Sequence, residues 1–232
     1  MARTPEATDF LYPFIERDER DPAPLMGDLA RSAQAKWAQS TALRAGTLAE
    51  SDTQLHTVAA AMAERFTAGG QAFTFGNGGS ATDADAFAQL CTRPPWGDQL
   101  PARSLAFDQA VLTALSNDIG FDVVFSRQIE AYGRRGDIAI GFSTSGNSDN
   151  LLAGFAEASK RGLLTVGLAG YDGGRMGASK DVEHCLVVRS DSVHRVQESQ
   201  AAVAHVLWAF VQSALGQSPA EQLTDPDQKV AS

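Results

Sequence analysis

Residues 137–150 read DIAIGFSTSGNSDN, and this stretch decides the fold. An apolar run ends at Phe142, three hydroxyl residues and a glycine follow, and helical apolar spacing begins after Asn150. The pattern predicts a strand, a tight turn and a helix N-terminus. The first N–H groups of a helix are unpaired and carry partial positive charge, so they favour an anion, and hydroxyls can complete a phosphate site. An ordinary polar turn with Ser148 as N-cap is the other interpretation.

Composition limits the classes of protein to which the chain can belong. Its 232 residues, 44% hydrophobic and 20% charged, fit one globular domain with appendages. A net charge of −9 argues against a surface that binds nucleic acid or anionic lipid, so any anion site must be a local pocket. Cys91 and Cys185 have neither metal-ligand spacing nor a secreted disulfide pattern, which predicts a cytoplasmic protein. Neither a signal peptide nor a membrane span is expected.

The domain is expected to span residues 26–216. Residues 1–25 carry several prolines and charges and are predicted to form an N-terminal arm, and residues 217–232 a loose tail. The domain should begin with two helices, separated by a capping break at Ser51 and Asp52. These helices are expected at Met26–Glu50 and Leu55–Thr67.

Strand and helix patterns alternate along the rest of the chain. The predicted strands are Gln71–Phe75, Arg103–Phe107, Asp137–Ser143, Leu163–Leu168 and His184–Val188. Helices are expected after the GNGGS turn and at Gln109–Leu115, Phe121–Tyr132, Asn150–Arg161 and His194–Leu215. Such alternation predicts an α/β fold with a five-stranded parallel sheet covered by helices on both faces.

Three polar glycine turns, GNGGS, STSGNS and AGYDGG, follow strands in this prediction. Ligands of parallel sheets bind beyond the carboxyl ends of the strands, so these turns favour a phosphate site. Gly76, Gly78 and Ala81 also match the dinucleotide fingerprint, which makes an oxidoreductase the rival hypothesis. That fingerprint requires an acidic residue about 20 positions further on, whereas the nearest strand-end candidate is Asp108.

The motifs GNGGSATDADAFA, LTALSNDIGFDVVFSRQ, GDIAIGFSTSGNS, GLAGYDGG and SDSVHRVQES occur in this order. Together they resemble the sugar isomerase (SIS) domains, and among these the phosphoheptose isomerase branch. The resemblance implies a flavodoxin-like three-layer fold, a homo-tetramer with active sites between subunits, and isomerisation of sedoheptulose 7-phosphate. It also implies which residues hold the phosphorylated sugar: Asn77, Gly78, Gly79, Ser80, Asp118, Ser143, Thr144, Ser145 and Ser148.

Helix capping offers a simpler role for three of these residues. Ser80 could cap the helix after GNGGS, Asn77 could supply a positive φ, and Asp118 could cap the helix near Phe121. Capping and binding use the same groups, so both roles can hold together.

The family's reaction centre is only half present. By resemblance it consists of a His and a Glu four residues apart, with a Gln and a His eight residues apart, and in some members these four side chains hold zinc. The second pair falls on Gln197 and His205, but the first falls on Ala86 and Leu90. Two ligands cannot assemble a zinc site, so neither a metal nor another cofactor is expected.

Proton transfer between two sugar carbons requires a base, and the chain offers several candidates. They are His205, Glu198, Asp83 and Asp85, with Gln197 beside them; histidine is the type that changes charge near neutral pH. Equally, His205 could be a buried, hydrogen-bonded core residue. The function is therefore either that of an isomerase with an altered reaction centre, or that of a phosphosugar sensor or scaffold like the replication-initiator-associating relatives.

Overall fold

A computed structural model describes residues 23–219, with side chains from Leu25 onward. Most of the predicted arm (1–25) and of the predicted tail (217–232) lies outside these residues. By its internal contacts the chain divides into a unit that ends at Gln39 and a compact unit that begins at Ser40. The sheet and the candidate site belong to the second unit.

One helix replaces the two predicted at the start of the domain. Helix α1 runs without a break over Ala23–Thr67. The expected capping break was wrong because the preference of Ser51 and Asp52 for a cap is weak, and no proline follows Pro24 in the helix. Ser51 is buried, and the flanking Leu48 and Leu55 belong to the same hydrophobic core.

Five parallel strands form the sheet, which confirms the predicted fold class. The strands are β1 (Ala72–Gly76), β2 (Ala102–Ser104), β3 (Ile138–Phe142), β4 (Leu164–Gly170) and β5 (His184–Val188), in the spatial order β2-β1-β3-β4-β5. Strands β1, β3 and β4 are buried along their whole length, as continuous apolar strands of a doubly covered sheet should be.

Helices cover the sheet on both faces. They are α2 (Gly79–Thr92), α3 (Gln109–Asp118), α4 (Val124–Tyr132), α5 (Asp149–Arg161), α6 (Gly174–Gly177) and α7 (Val193–Ala214). A 3-10 turn over Phe121–Val123 precedes α4, where one continuous helix was expected, and the short α6 was not predicted.

Alternate residues of β3 divide the core into two layers. Ile138 and Ile140 point toward a cluster that contains side chains of α1, α2 and α7. Ala139 belongs to the opposite cluster, with Phe125 of α4 and Phe155 of α5. This alternation follows from the two-residue period of a strand, and it yields the expected three layers.

The order of the strands positions the candidate site. Strands β1, β3 and β4 are neighbours and parallel, so the turns that follow them lie at one edge of the sheet. This confirms the expectation that GNGGS, STSGNS and AGYDGG share an edge. Among residues 23–219, no helix is long and apolar enough to cross a bilayer.

Candidate functional site

The first turn, Gly76–Ser80, is tied to the beginning of α5, directly after the second turn, by a reciprocal pair of amide hydrogen bonds. Nδ2 of Asn77 donates to Oδ1 of Asn150 at 2.8 Å, and Nδ2 of Asn150 donates back to Oδ1 of Asn77 at 2.9 Å. Asn150 is only 3% exposed, so the pair is shielded from competing water. The amide of Asn77 therefore joins the first turn to the beginning of α5, a role that sequence patterns could not indicate.

The simpler capping roles are not the ones these residues play. Gly78, with φ of 56°, occupies the N-cap position of α2, and Ser80 lies inside the helix. Asn77 is not in the positive-φ region, where Tyr171 is the one non-glycine residue among those described. Ser148 does occupy the N-cap position of α5, yet its side chain makes no capping hydrogen bond. The residue that precedes the 3-10 turn is Gly120, not Asp118.

The second turn is held together by its own hydroxyls. Oγ of Ser143 accepts the backbone N–H of Gly146 at 3.0 Å, and Oγ of Ser145 accepts the N–H of Asn147 at 3.2 Å. Gly146 has φ of 66°, and a Cβ there would lie 2.1 Å from the carbonyl oxygen of Gly173. Glycine is therefore required at this position both by conformation and by close approach.

The third turn packs directly on the second. The N–H of Met176 donates to the carbonyl of Gly146 at 2.8 Å, and the N–H of Arg175 donates to Oδ1 of Asn147 at 2.9 Å. The Arg175 guanidinium also contacts Asp149, at 2.6 Å, in the first turn of α5. Beside this junction an open hollow of about 690 Å³ is lined by polar residues: Ser145, Asn147, Tyr171, Asp172, Ser190 and Asp191.

The predicted phosphate-binding hydroxyls fall into two groups. Those of Ser143 and Ser145 each accept a backbone N–H group within the turn, and each keeps its O–H as a donor for a ligand. Those of Ser80, Thr144 and Ser148 form no hydrogen bond with any other residue in the described part of the chain. A ligand that binds the second group would therefore break no hydrogen bond within the protein.

Gln197 of α7 lies against the first turn. A Cβ at Gly79 would lie 2.1 Å from Nε2 of Gln197, so the absence of a side chain there makes room for the amide. Gln197 also forms a hydrogen bond with Asp83, one helical turn beyond Gly79. Burial raises the pKa of Asp83 above its ordinary value of 3.8, and the Gln197 bond opposes that shift in part.

A cavity of about 250 Å³ lies between α2, α7 and the end of β3. It brings together positions that the resemblance assigned to the reaction centre, namely Ala86, Leu90 and His205. His205 is exposed, with its ring centroid 5.4 Å from that of Trp208, so the interpretation as a buried core histidine was wrong. The remaining lining residues are Asp83, Phe87, Phe142, Ala201 and Ala204.

Other predicted site residues have partners elsewhere. Oε2 of Glu198 accepts the hydroxyl of Ser40 at 2.5 Å, which joins α7 to α1. Asp118 is exposed at the end of α3, where Oδ1 accepts the side-chain amide of Asn117 at 2.8 Å. Asp85 accepts the amide of Gln89 at 2.8 Å on the outer side of α2. The cavity that holds His205 has none of these three carboxylates in its lining.

The residues around the cavity do not fit a zinc ion. Zinc sites in proteins take three or four ligands from His, Cys, Asp and Glu. Nowhere in residues 23–219 do three such side chains come close enough together to hold a metal. Ala86 and Leu90 contribute methyl groups where ligands would be required, so no chemical step here is derived through a metal.

Asp108, the acidic residue that the dinucleotide hypothesis would use, has a structural role instead. Oδ1 of Asp108 accepts the N–H of Val111 at 3.1 Å and so caps α3. Although Asp108 and Ala81 line one open hollow, the carboxylate already has this structural role.

Comparison with known proteins identifies the family. Residues 37–170 match the model of the SIS domain, which is more than half of the chain. The chain belongs to the SIS domain family. This SIS protein is 45% identical over 159 residues to a phosphoheptose isomerase of Chlorobium phaeovibrioides, covering 67% of the chain and 74% of the relative. It is 47% identical over 139 residues to a phosphoheptose isomerase of Sulfurimonas denitrificans, covering 59% and 70% respectively.

Solved structures agree with the sequence relatives. The phosphoheptose isomerase of Neisseria gonorrhoeae superposes with a TM-score of 0.73 at 34% identity, covering 80% of this chain and 99% of that one. The protein is therefore a phosphoheptose isomerase-like member of the SIS family. This confirms the family and the fold that the motifs indicated.

The contact between Gly79 and Gln197 can be tested with a double-mutant cycle. Gly79→Ala should displace the Gln197 amide and break its hydrogen bond with Asp83, lowering the free energy of unfolding by about 1 kcal/mol. In a Gln197→Ala background the same change should cost little, since the obstructing amide is absent. Urea denaturation of the four proteins measures the coupling, and equal effects in both backgrounds would contradict the contact.

The raised pKa of Asp83 predicts a pH dependence of stability. Because the folded state binds this proton more tightly than the unfolded state, the stability that Asp83 contributes is present below its ordinary pKa of 3.8 and declines as pH rises through the folded pKa. Asp83→Asn replaces the titrating carboxyl by an amide and so removes this decline in stability. The free energy of unfolding of the variant, relative to the unmodified protein, should therefore increase between about pH 4 and about pH 7. A difference that stays constant over that range would exclude the shift.

Proposed function

We propose that this protein binds a phosphorylated sugar, with the phosphate held by the turns after β1 and β3. The observation that carries the proposal is the set of unpaired hydroxyls of Ser80, Thr144 and Ser148, of which Ser80 lies in the first turn of α2 and Ser148 at the N-cap position of α5. Hydroxyls and unpaired helical N–H groups are the donors that a phosphate needs. The relatives named phosphoheptose isomerase support a sugar phosphate as the ligand.

The reaction we propose is aldose–ketose isomerisation of sedoheptulose 7-phosphate or a related sugar phosphate. His205 would move the proton between the first two carbons, and Gln197 would hydrogen-bond a sugar oxygen. Asp83 is the other ionisable group of the cavity. Glu198 would act only through its contact with Ser40, which fixes α7 against α1. Gly78, Gly79, Ser143 and Ser145 would complete the phosphate site through backbone N–H groups and hydroxyls.

We further propose that the protein acts as a cytoplasmic homo-tetramer without direct contact to nucleic acid. The net charge of −9 supports the last point, since polyanions would be repelled. Active sites between subunits would bring groups of a second copy to the exposed His205 and Asp118.

A second candidate is a phosphosugar-binding protein without turnover. It is favoured by the walls of the cavity, where Ala86 and Leu90 offer no acid, base or ligand. Only Asp83 and His205 remain there as ionisable groups, and the half-buried carboxyl of Asp83 already bonds Gln197.

Binding is tested by isothermal titration calorimetry with sedoheptulose 7-phosphate. Ser148→Ala should weaken binding by about tenfold or more, because it removes a hydrogen bond to a charged group, and should leave stability unchanged. Ser143→Ala is the contrasting variant, since it removes the acceptor of the Gly146 N–H and should lower the free energy of unfolding by about 1 kcal/mol. Unchanged affinity in Ser148→Ala would rule out this phosphate site.

Turnover of sedoheptulose 7-phosphate separates the two candidates. For an isomerase, His205→Ala should lower kcat by about a hundredfold or more while binding persists. His56→Ala on the exposed side of α1 serves as the control and should leave kcat unchanged. No turnover by the unmodified protein, with binding intact, would establish the second candidate.

A further inference from the structure

The cavity between α2 and α7 has a lining that is mostly apolar. Six of its eight lining residues are apolar: Ala86, Phe87, Leu90, Phe142, Ala201 and Ala204. A hydroxyl moved from water to such walls loses hydrogen bonds that the walls cannot replace. A methyl group placed there instead gains from leaving water.

One polar atom at this cavity lacks a partner. Asp83 lines the cavity, and its Oδ2 is buried without a hydrogen bond to any residue in the described part of the chain. The carboxyl bonds Gln197 as well, so it is held in place rather than free to turn to solvent. A buried acceptor of this kind is satisfied by a ligand N–H or O–H.

The cavity adjoins the proposed phosphate site. Phe142 lines it and is followed directly by Ser143 in the second turn. Gln197, which bonds Asp83, also lies against Gly79 in the first turn. A sugar with its phosphate on these turns therefore has the cavity within its reach.

We propose that this cavity holds the acylamino group of an N-acylated amino sugar phosphate. The acyl methyl occupies the space bounded by Ala86, Leu90 and Ala201, and the amide N–H donates to Asp83. His205, at the same cavity, can donate a ring N–H to the acyl oxygen. The inference rests on the binding part of the proposed function and names the substituent that the site selects.

This ligand agrees with the candidate that has no turnover. A carbon that carries an acylamino group cannot become the carbonyl carbon of a 2-ketose while it keeps its nitrogen. A sugar with that group at its second carbon would be bound and not isomerised. The apolar positions 86 and 90 then determine ligand selection.

Calorimetry with three matched sugars tests the proposal: N-acetylglucosamine 6-phosphate, glucose 6-phosphate and glucosamine 6-phosphate. The N-acetyl compound should bind about tenfold more tightly than glucose 6-phosphate, from one buried methyl and one hydrogen bond to a carboxylate. Adding zinc or a chelator should leave its affinity unchanged. Equal affinities, tightest binding of the charged glucosamine 6-phosphate, or a requirement for zinc would each overturn the proposal.

A cavity-filling variant supplies the matched control. Ala201→Leu should reduce the preference for the N-acetyl compound to less than about twofold while glucose 6-phosphate binds as before, because only the acyl space is lost. Ala214→Leu makes the same change on the same helix, away from the cavity, and should keep the preference. If the Ala201→Leu variant keeps its preference for the N-acetyl compound, the acyl group does not bind in this cavity and the proposal is wrong.

Failure of the inference and failure of the proposed function give different results. If none of the three sugars, sedoheptulose 7-phosphate or inorganic phosphate binds, the phosphate site itself is absent. If they bind without regard to the acyl group, only the assignment of the cavity is wrong.

Discussion

The paired amides of Asn77 and Asn150 are the interaction on which the site depends. They join the turn after β1 to the first residues of α5, across two neighbouring strands. Each bond contributes about 1 kcal/mol, and either amide left alone in this buried place would cost more than that. The bonds hold the beginnings of α2 and α5 together. Ser80 and Ser148, which we propose contact one phosphate, lie in these first turns and make no side-chain hydrogen bond of their own.

Further constraints act on the same edge of the sheet. Because Gly146 has no side chain, the second turn can approach Gly173 closely. The carbonyl of Gly146 also accepts the N–H of Met176. Gln200, fully buried in α7, donates to the carbonyl of Ser143 at 3.0 Å. The backbone of the second turn is therefore fixed from two sides before any ligand arrives. Such preorganisation lowers the entropy lost on binding, which suits a site made of neutral donors.

Much of this arrangement could be predicted from local patterns. Continuous apolar runs such as IAI and LTVGL fix the strands, and parallel alternation with helices requires their polar turns to share an edge. The motifs GNGGS and STSGNS then led to the family. Ala86 and Leu90 could be recognised as departures because the spacing to Phe87 is intact, and the structure brings both to one cavity with His205.

What could not be predicted depends on residues far apart in the chain. The bond of Asn77 with Asn150 spans 73 positions and that of Ser40 with Glu198 spans 158, and neither has a local signature. The helix break predicted at Ser51 was wrong for a related reason. A cap preference is worth about 1 kcal/mol, and the core contacts that keep the helix continuous have no local signature. The exposure of His205 likewise follows from how α7 lies on the sheet.

The proposed anion site lies in a chain of net charge −9, and the effect of that charge depends on distance. Exposed charges further away than about 8–10 Å are screened at physiological ionic strength, so the total charge acts weakly on a bound phosphate. The donors of the proposed site are hydroxyls and helical N–H groups, and the carboxylate of Asp149 in the first turn of α5 is paired with Arg175. Fixed dipoles of this kind do not attract polyanions over long range as a lysine cluster would. In the proposed site, the acidic surface and the neutral donors together would favour a small phosphate ester over nucleic acid.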